Sequence, residues 1–88
     1  MLRKQCIVEF DMFLIKYSKV EGDGKRWWFL YECQDKKENF MLMQSFFQNE
    51  TFRRHLGISL VKRFSSEEEL EVEAMVKYGN LLEVVEIS

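Results

Sequence analysis

Apolar positions along the first fifth of the chain alternate with period two. The spacing predicts a long strand over residues 5–19. Cys6, Val8, Phe10, Met12 and Leu14 share one face. The other face begins polar at Glu9 and Asp11 and turns apolar at Phe13, Ile15 and Tyr17. Glu21-Gly22-Asp23-Gly24 marks a turn, and Asp-Gly favours a tight two-residue hairpin of type I′. A second strand is expected over residues 26–34, with Trp27, Phe29, Tyr31 and Cys33 on one face and Trp28 and Leu30 on the other. Centring the turn on Asp23-Gly24 sets Leu14 opposite Cys33, Lys16 opposite Tyr31 and Val20 opposite Trp27. That register groups Phe13, Ile15 and Tyr17 with Trp28 and Leu30.

The period then lengthens. Residues 36–56 predict a helix with one break. Asp35 and Glu38 have the spacing of a capping box. Phe40, Met43 and Phe47 fall on one side with Phe46 beside them, and Asn49 can cap a second short segment. Arg53, Arg54 and His55 sit in the last turn, where cations suit the helix dipole, and Gly57 suits a helix stop. Residues 58–64 suggest a third strand. Residues 66–78 support two readings. Ser66 and Glu69 form a second capping-box spacing, which favours helix. Leu70, Val72, Ala74, Val76 and Tyr78 alternate without a miss, which favours strand, and the period argument prefers the strand. Gly79-Asn80 then makes a hairpin turn into a last strand over residues 81–87. The expected fold is α+β: a small antiparallel sheet in the order β-β-α-β-β-β, with one main helix packed on one face. No proline, repeat or low-complexity tract divides the chain, so residues 1–88 are expected to form a single compact domain.

The composition fits such a core, with 47% hydrophobic and 15% aromatic residues in 88. Two cysteines, Cys6 and Cys33, suit buried thiols in a reducing compartment better than a disulfide scaffold. Cys6 lies eight residues before Leu14, about 26 Å along an extended strand, too far for a bridge to Cys33. Arg3 and Lys4 imitate the start of a signal peptide, but Glu9 and Asp11 interrupt the apolar stretch that should follow. No run is long enough to span a bilayer. A cytoplasmic protein is expected.

Candidate chemistry is sparse. His55, the one histidine, sits at a predicted helix end beside two arginines, and Cys33 lies on a predicted core face. Neither has the base and orienting partner that nucleophilic catalysis requires. One His and two separated Cys give no metal-ligand spacing, and no phosphate-binding glycine loop is present. The expectation is a protein that is not an enzyme and has no cofactor and no metal.

Charge carries more information. Residues 1–64 hold 12 basic and 8 acidic side chains, a balance of +4, whereas residues 65–88 hold 1 basic and 7 acidic, a balance of −6. On the strand reading Glu67, Glu69, Glu71 and Glu73 project from one face. Across the Gly79-Asn80 turn Tyr78 faces Leu81, and on the opposite side Lys77 meets Leu82, Met75 meets Val84 and Glu73 meets Glu86. The result is an apolar patch of Met75, Leu82 and Val84 rimmed by Glu69, Glu71, Glu73 and Glu86, the form of an interaction site. The plain alternative is an edge strand guarded by charge.

The leading expectation is therefore a non-catalytic protein-binding module of inhibitor or adaptor type. It would dock on a larger partner with a basic surface, through an acidic C-terminal β-hairpin and an exposed apolar strand face. A second expectation is a single-stranded nucleic-acid-binding domain using Lys16, Lys19, Lys25, Arg26 and Trp28 of the first hairpin, where cations lie beside stacking rings. The third is a homo-oligomeric structural protein, a homodimer through the Trp28 face.

Overall fold

The computed structural model describes residues 12–80 and 82–87. The predicted positions Cys6, Val8, Glu9, Phe10, Asp11 and Leu81 lie outside the described residues. The first two strands are β1 (Phe13–Val20) and β2 (Arg26–Cys33). A helical segment follows as α1 (Lys37–Met43), a 3-10 turn (Gln44–Phe46) and α2 (Glu50–His55). Then come β3 (Ile58–Phe64), α3 (Glu67–Tyr78) and β4 (Val84–Ile87). The fold is α+β, as expected. Among the described residues four strands form one mixed sheet in the order β3-β2-β1-β4, with β4 parallel to β1 and the other pairs antiparallel. Among the described residues no helix is long and apolar enough to cross a membrane.

The first hairpin forms where expected, with a register one residue different. Phe13 faces Cys33, Ile15 faces Tyr31 and Lys19 faces Trp27. The cause is the turn. Glu21 N–H donates to Lys25 C=O at 2.9 Å, so three residues rather than two form the loop. Gly24 takes a positive φ of 79°, the left-handed position that closes a three-residue hairpin, and the Asp23 carboxylate accepts from Lys25 N–H. A shift of one residue exchanges the two faces of a strand. Phe13, Ile15 and Tyr17 therefore share a side with Phe29, Tyr31 and Cys33, and Leu14, Lys16 and Ser18 share the other with Trp28 and Leu30.

The helical segment covers the first of these sides. Phe40 and Phe47 are buried against Phe13, Ile15, Tyr17 and Cys33, with Leu56 and Ile58 closing the cluster. The predicted break at Asn49 is present: its side chain accepts from Phe52 N–H and starts α2. The Asp35 capping box is not formed. Lys36 is the N-cap without a side-chain bond, and Asp35 instead accepts from Lys36 N–H and from the Asn39 amide. Met43 and Phe46 do not join the core and are exposed. Cys33 is a free, buried thiol that lies 3.7 Å from the Leu56 carbonyl, and burial pushes its pKa up.

Residues 67–78 are a helix, which overturns the strand preference. Five Glu with Leu70, Ala74, Met75 and Lys77 make nine of its twelve residues strong helix formers. The Ser66 hydroxyl accepts from Glu69 N–H at 3.1 Å, and Glu67, Glu68 and Glu69 fill the first turn at the positive end of the dipole. Topology asks for the same result. β3 and β4 run parallel at opposite edges of the sheet, so the chain must cross three strand spacings, about 14 Å. A helix of twelve residues is about 18 Å long and makes that crossing. Gly79 is not a hairpin turn. It ends the helix at φ 65° and ψ −147°, a conformation close to glycine alone, and donates to Met75 C=O. The helix buries Leu70 and Ala74, with half-buried Tyr78 one turn on, against Leu14, Leu30 and Phe64. Burying Leu70 contributes about 2 kcal/mol. The second sheet face, which the sequence left without a cover, is thus covered by α3 of the same chain.

Candidate functional site

Because 67–78 is a helix, the acidic C-terminal hairpin and its pairs do not exist. Met75 and Val84 meet instead across a groove. One wall is α3, with Glu71, Ala74 and Met75, and the other is β4, with Val84 and Glu86. Leu14, Leu70 and Leu82 are apolar residues lining it, and its volume is about 410 Å³. Five of the seven predicted partner-binding residues, Glu71, Met75, Leu82, Val84 and Glu86, line this one groove. Met75 is 54% exposed and Val84 45%, whereas Leu82 is half-buried against the α3 core. The remaining two, Glu69 and Glu73, line a separate cleft with Lys25, Trp27, Lys62 and Arg63.

Helical geometry re-sorts the apolar positions of this segment. Val72, Met75 and Val76 fall at i, i+3 and i+4, which puts them together on the outer surface of α3. All three are exposed. The strand reading had counted Val72 and Val76 as inward-facing with Leu70 and Ala74. The capping-box spacing at Ser66 was the signal that could have separated them.

The acids of α3 divide by partner. Lys16, on β1 beneath the helix, is only 6% exposed. Its Nζ pairs with Glu67 and lies 3.0 Å from Glu71 Oε2. Burial alone would lower its pKa, but the hydrogen bonds and charges of Glu67 and Glu71 outweigh that and hold it above the ordinary lysine value. Glu69 accepts from the Ser65 hydroxyl at the start of the helix. At the other end the Tyr78 hydroxyl donates to Glu32 on β2, and burial together with that carboxylate holds the phenol well above its usual range. Lys37 of α1 pairs with Glu83 at 2.6 Å, just before β4.

The residues expected to hold a nucleic-acid strand are scattered. Lys16 is committed to two carboxylates, and its ammonium lies 5.5 Å from the Trp28 ring on the α3 side. Lys19 pairs with Glu21 at 3.3 Å, and Arg26 donates to the Ser18 hydroxyl at 3.0 Å. Only Lys25 remains beside a half-buried ring, 4.7 Å from the centroid of Trp27, where Arg63 joins it at 4.3 Å. Lys25 beside Trp27 follows from the hairpin sequence, whereas Arg63 was not legible there because it reaches the ring from β3, distant in sequence. Among the described residues no group of three or more His, Cys, Asp or Glu side chains is placed to hold a metal ion.

No family model matches the chain, and neither does any curated protein or solved structure.

Proposed function

We propose that the chain is a non-catalytic protein-binding module that docks on a partner with a basic surface through α3 and β4. The observation that carries this reading is the groove between them. Its lining is mainly apolar, with two exposed apolar side chains at its walls, Met75 and Val84, acids at Glu71 and Glu86, and Lys16 neutralised at its floor by Glu67 and Glu71. A rimmed apolar recess of this kind suits one anchoring side chain from a partner. The balance of −6 over residues 65–88 supplies long-range attraction to a cationic surface and repels an acidic one. Occlusion of a site on the partner is the inhibitor form of this action, and bridging two partners the adaptor form.

Capture from a lysate of the producing organism tests the proposal, with protein and nucleic acid both identified. The reading expects one stoichiometric basic protein that is released as salt is raised. It also expects the Met75→Glu variant, altered at an exposed position, to lose that protein while keeping the wild-type circular dichroism spectrum. Retention of the same protein by the Met75→Glu variant would sink the groove as the contact. Recovery of nucleic acid alone would move the function to the Trp27 cluster, and recovery of the bait alone would favour self-association.

A further inference from the structure

The two edges of the sheet are built differently. β3 carries Lys62 and Arg63, and one extra residue at Val61 shifts its register against β2 between Leu30 and Tyr31. Charge and an irregular register are the usual guards of an exposed edge. β4 is shorter, four residues with a single charge at Glu86, and its register with β1 is unbroken over Leu14–Tyr17. Its core face is apolar, and its groove face carries one apolar residue and one acid, Val84 and Glu86. Val85 and Ile87 pack on the core beneath α1 and α2, while Val84 faces the groove under α3. Among the described residues nothing pairs with its outer side.

The hydrogen-bonding groups on that side can be assigned. Leu14 N–H donates to Glu83 C=O at 2.8 Å. In a parallel ladder alternate residues direct both main-chain groups to the same neighbour. Val85 and Ile87 therefore face β1, and Val84 and Glu86 present N–H and C=O outward. An added strand would place every second side chain on the groove side, next to Val84 and Glu86 and below Met75.

Resting on the protein-binding reading above, we infer that the partner supplies an extended segment of alternating basic and apolar residues, which adds to β4 as a fifth strand. Main-chain bonds to Val84 and Glu86 give the pairing. The cations of the segment meet Glu86 and Glu71, the two acids of the groove, and an apolar side chain fills the groove beside Met75.

The test uses the full-length chain, labelled with nitrogen-15, and the synthetic peptide acetyl-Lys-Val-Lys-Val-Lys-Val-amide. The expected result is a shift of the Val84 and Glu86 amide signals and a slowing of their hydrogen exchange by about tenfold or more. The variant Glu86→Pro removes an outward N–H without touching the bonds to β1. It should bind the peptide about tenfold more weakly than Glu86→Gln, which controls for the lost charge. Methylating alternate peptide nitrogens should abolish the effect. Peptide shifts confined to α3 around Met75, with Val84 and Glu86 amides still exchanging freely, would overturn strand addition while leaving the protein-binding reading standing. Absence of any peptide effect would overturn strand addition too, and the lysate capture would then decide the broader reading alone. Protection of both amides before peptide is added would also overturn it. Protection independent of concentration would assign the edge to the chain's own residues, and protection rising with concentration would assign it to a second copy.

Discussion

The ion cluster under α3 predicts an asymmetry between two perturbations of the same contact. Lys16 has 8% of its side chain exposed, while its partners Glu67 and Glu71 are 44% and 62% exposed. At the 3.0 Å separation of Glu71, the gross attraction is about 5 kcal/mol for an effective dielectric of 20. Exposure of the carboxylates screens that figure. Desolvating the ammonium offsets several kcal/mol more. The net contribution of the cluster is therefore small, and what matters is which charge is left behind.

Lys16→Met keeps the length of the stem and leaves two carboxylates that water can solvate, so the cost should be about 1 kcal/mol or less. The double variant Glu67→Gln/Glu71→Gln leaves a buried ammonium without a counter-charge. Its amide oxygens still accept hydrogen bonds, so the cost should be about 2–3 kcal/mol. Urea titration followed by circular dichroism reads both values from the midpoint, provided the slope is unchanged. If Lys16→Met proves the more damaging, the reasoning fails.

The pH dependence has a definite sign. Lys16 is held above its ordinary value of 10.5, so its contribution is fully present below that pH and declines as pH rises through the folded value. Tyr31 and Tyr78 are also raised and lose stability in the same alkaline range, so the informative quantity is the difference from Lys16→Met, in which the tyrosine contributions cancel. In the double Gln variant the carboxylate charges are gone, and on Lys16 burial acts against amide hydrogen bonds alone. Its pKa should fall, and the difference should change sign.

Two smaller perturbations address the ends of α3. Ser66→Ala removes the side-chain acceptor for Glu69 N–H and should cost about 1 kcal/mol, read as a lowered urea midpoint. Tyr78→Phe removes the hydroxyl that donates to the Glu32 carboxylate; it should cost about 1.5 kcal/mol at neutral pH and flatten the loss of stability above pH 10. An unchanged alkaline profile in Tyr78→Phe would show that this phenol is not the group titrating there.

Local signals account for what the sequence revealed. Alternation over Phe13–Tyr17 and Trp27–Cys33, the glycines of the first turn and the Asn49 cap are all properties of neighbouring residues, and the elements they mark are present. The hairpin register was not legible, because Gly22-Asp23-Gly24 serves a two-residue or a three-residue loop and only the packing of both sheet faces selects between them. The type of element over 67–78 was misread for a related reason. Leu70, Val72, Ala74, Val76 and Tyr78 satisfy a period of two by sequence, but Val72 and Val76 are not core residues at all. They are exposed apolar positions, which a pattern argument assigns to the interior by default. The parallel crossing from β3 to β4, which demands a helix, depends on strand order, and strand order is a non-local fact.

The same misreading bears on how the acidic run should be probed. As a strand, its glutamates would be equivalent members of one row, and reversing Glu69, Glu71 and Glu73 together would be a clean test of docking. On the helix they are not equivalent. Glu71 helps hold Lys16, so Glu71→Lys sets two cations together over a buried site and damages the fold before it reports on binding. Glu69 and Glu73 lie on the other flank, away from Lys16 and on the cleft with Lys62 and Arg63. Reversing those two changes the field seen by an approaching partner and leaves the ion cluster intact. Under the proposed docking, the acids free to act on a partner and the acids that clamp Lys16 would be different residues of one helix. Glu69 also serves the first turn of α3, so Glu73→Lys is the cleaner variant, and a loss of binding in it with unchanged urea midpoint is the result that would attribute the acidic charge to recognition rather than to the fold.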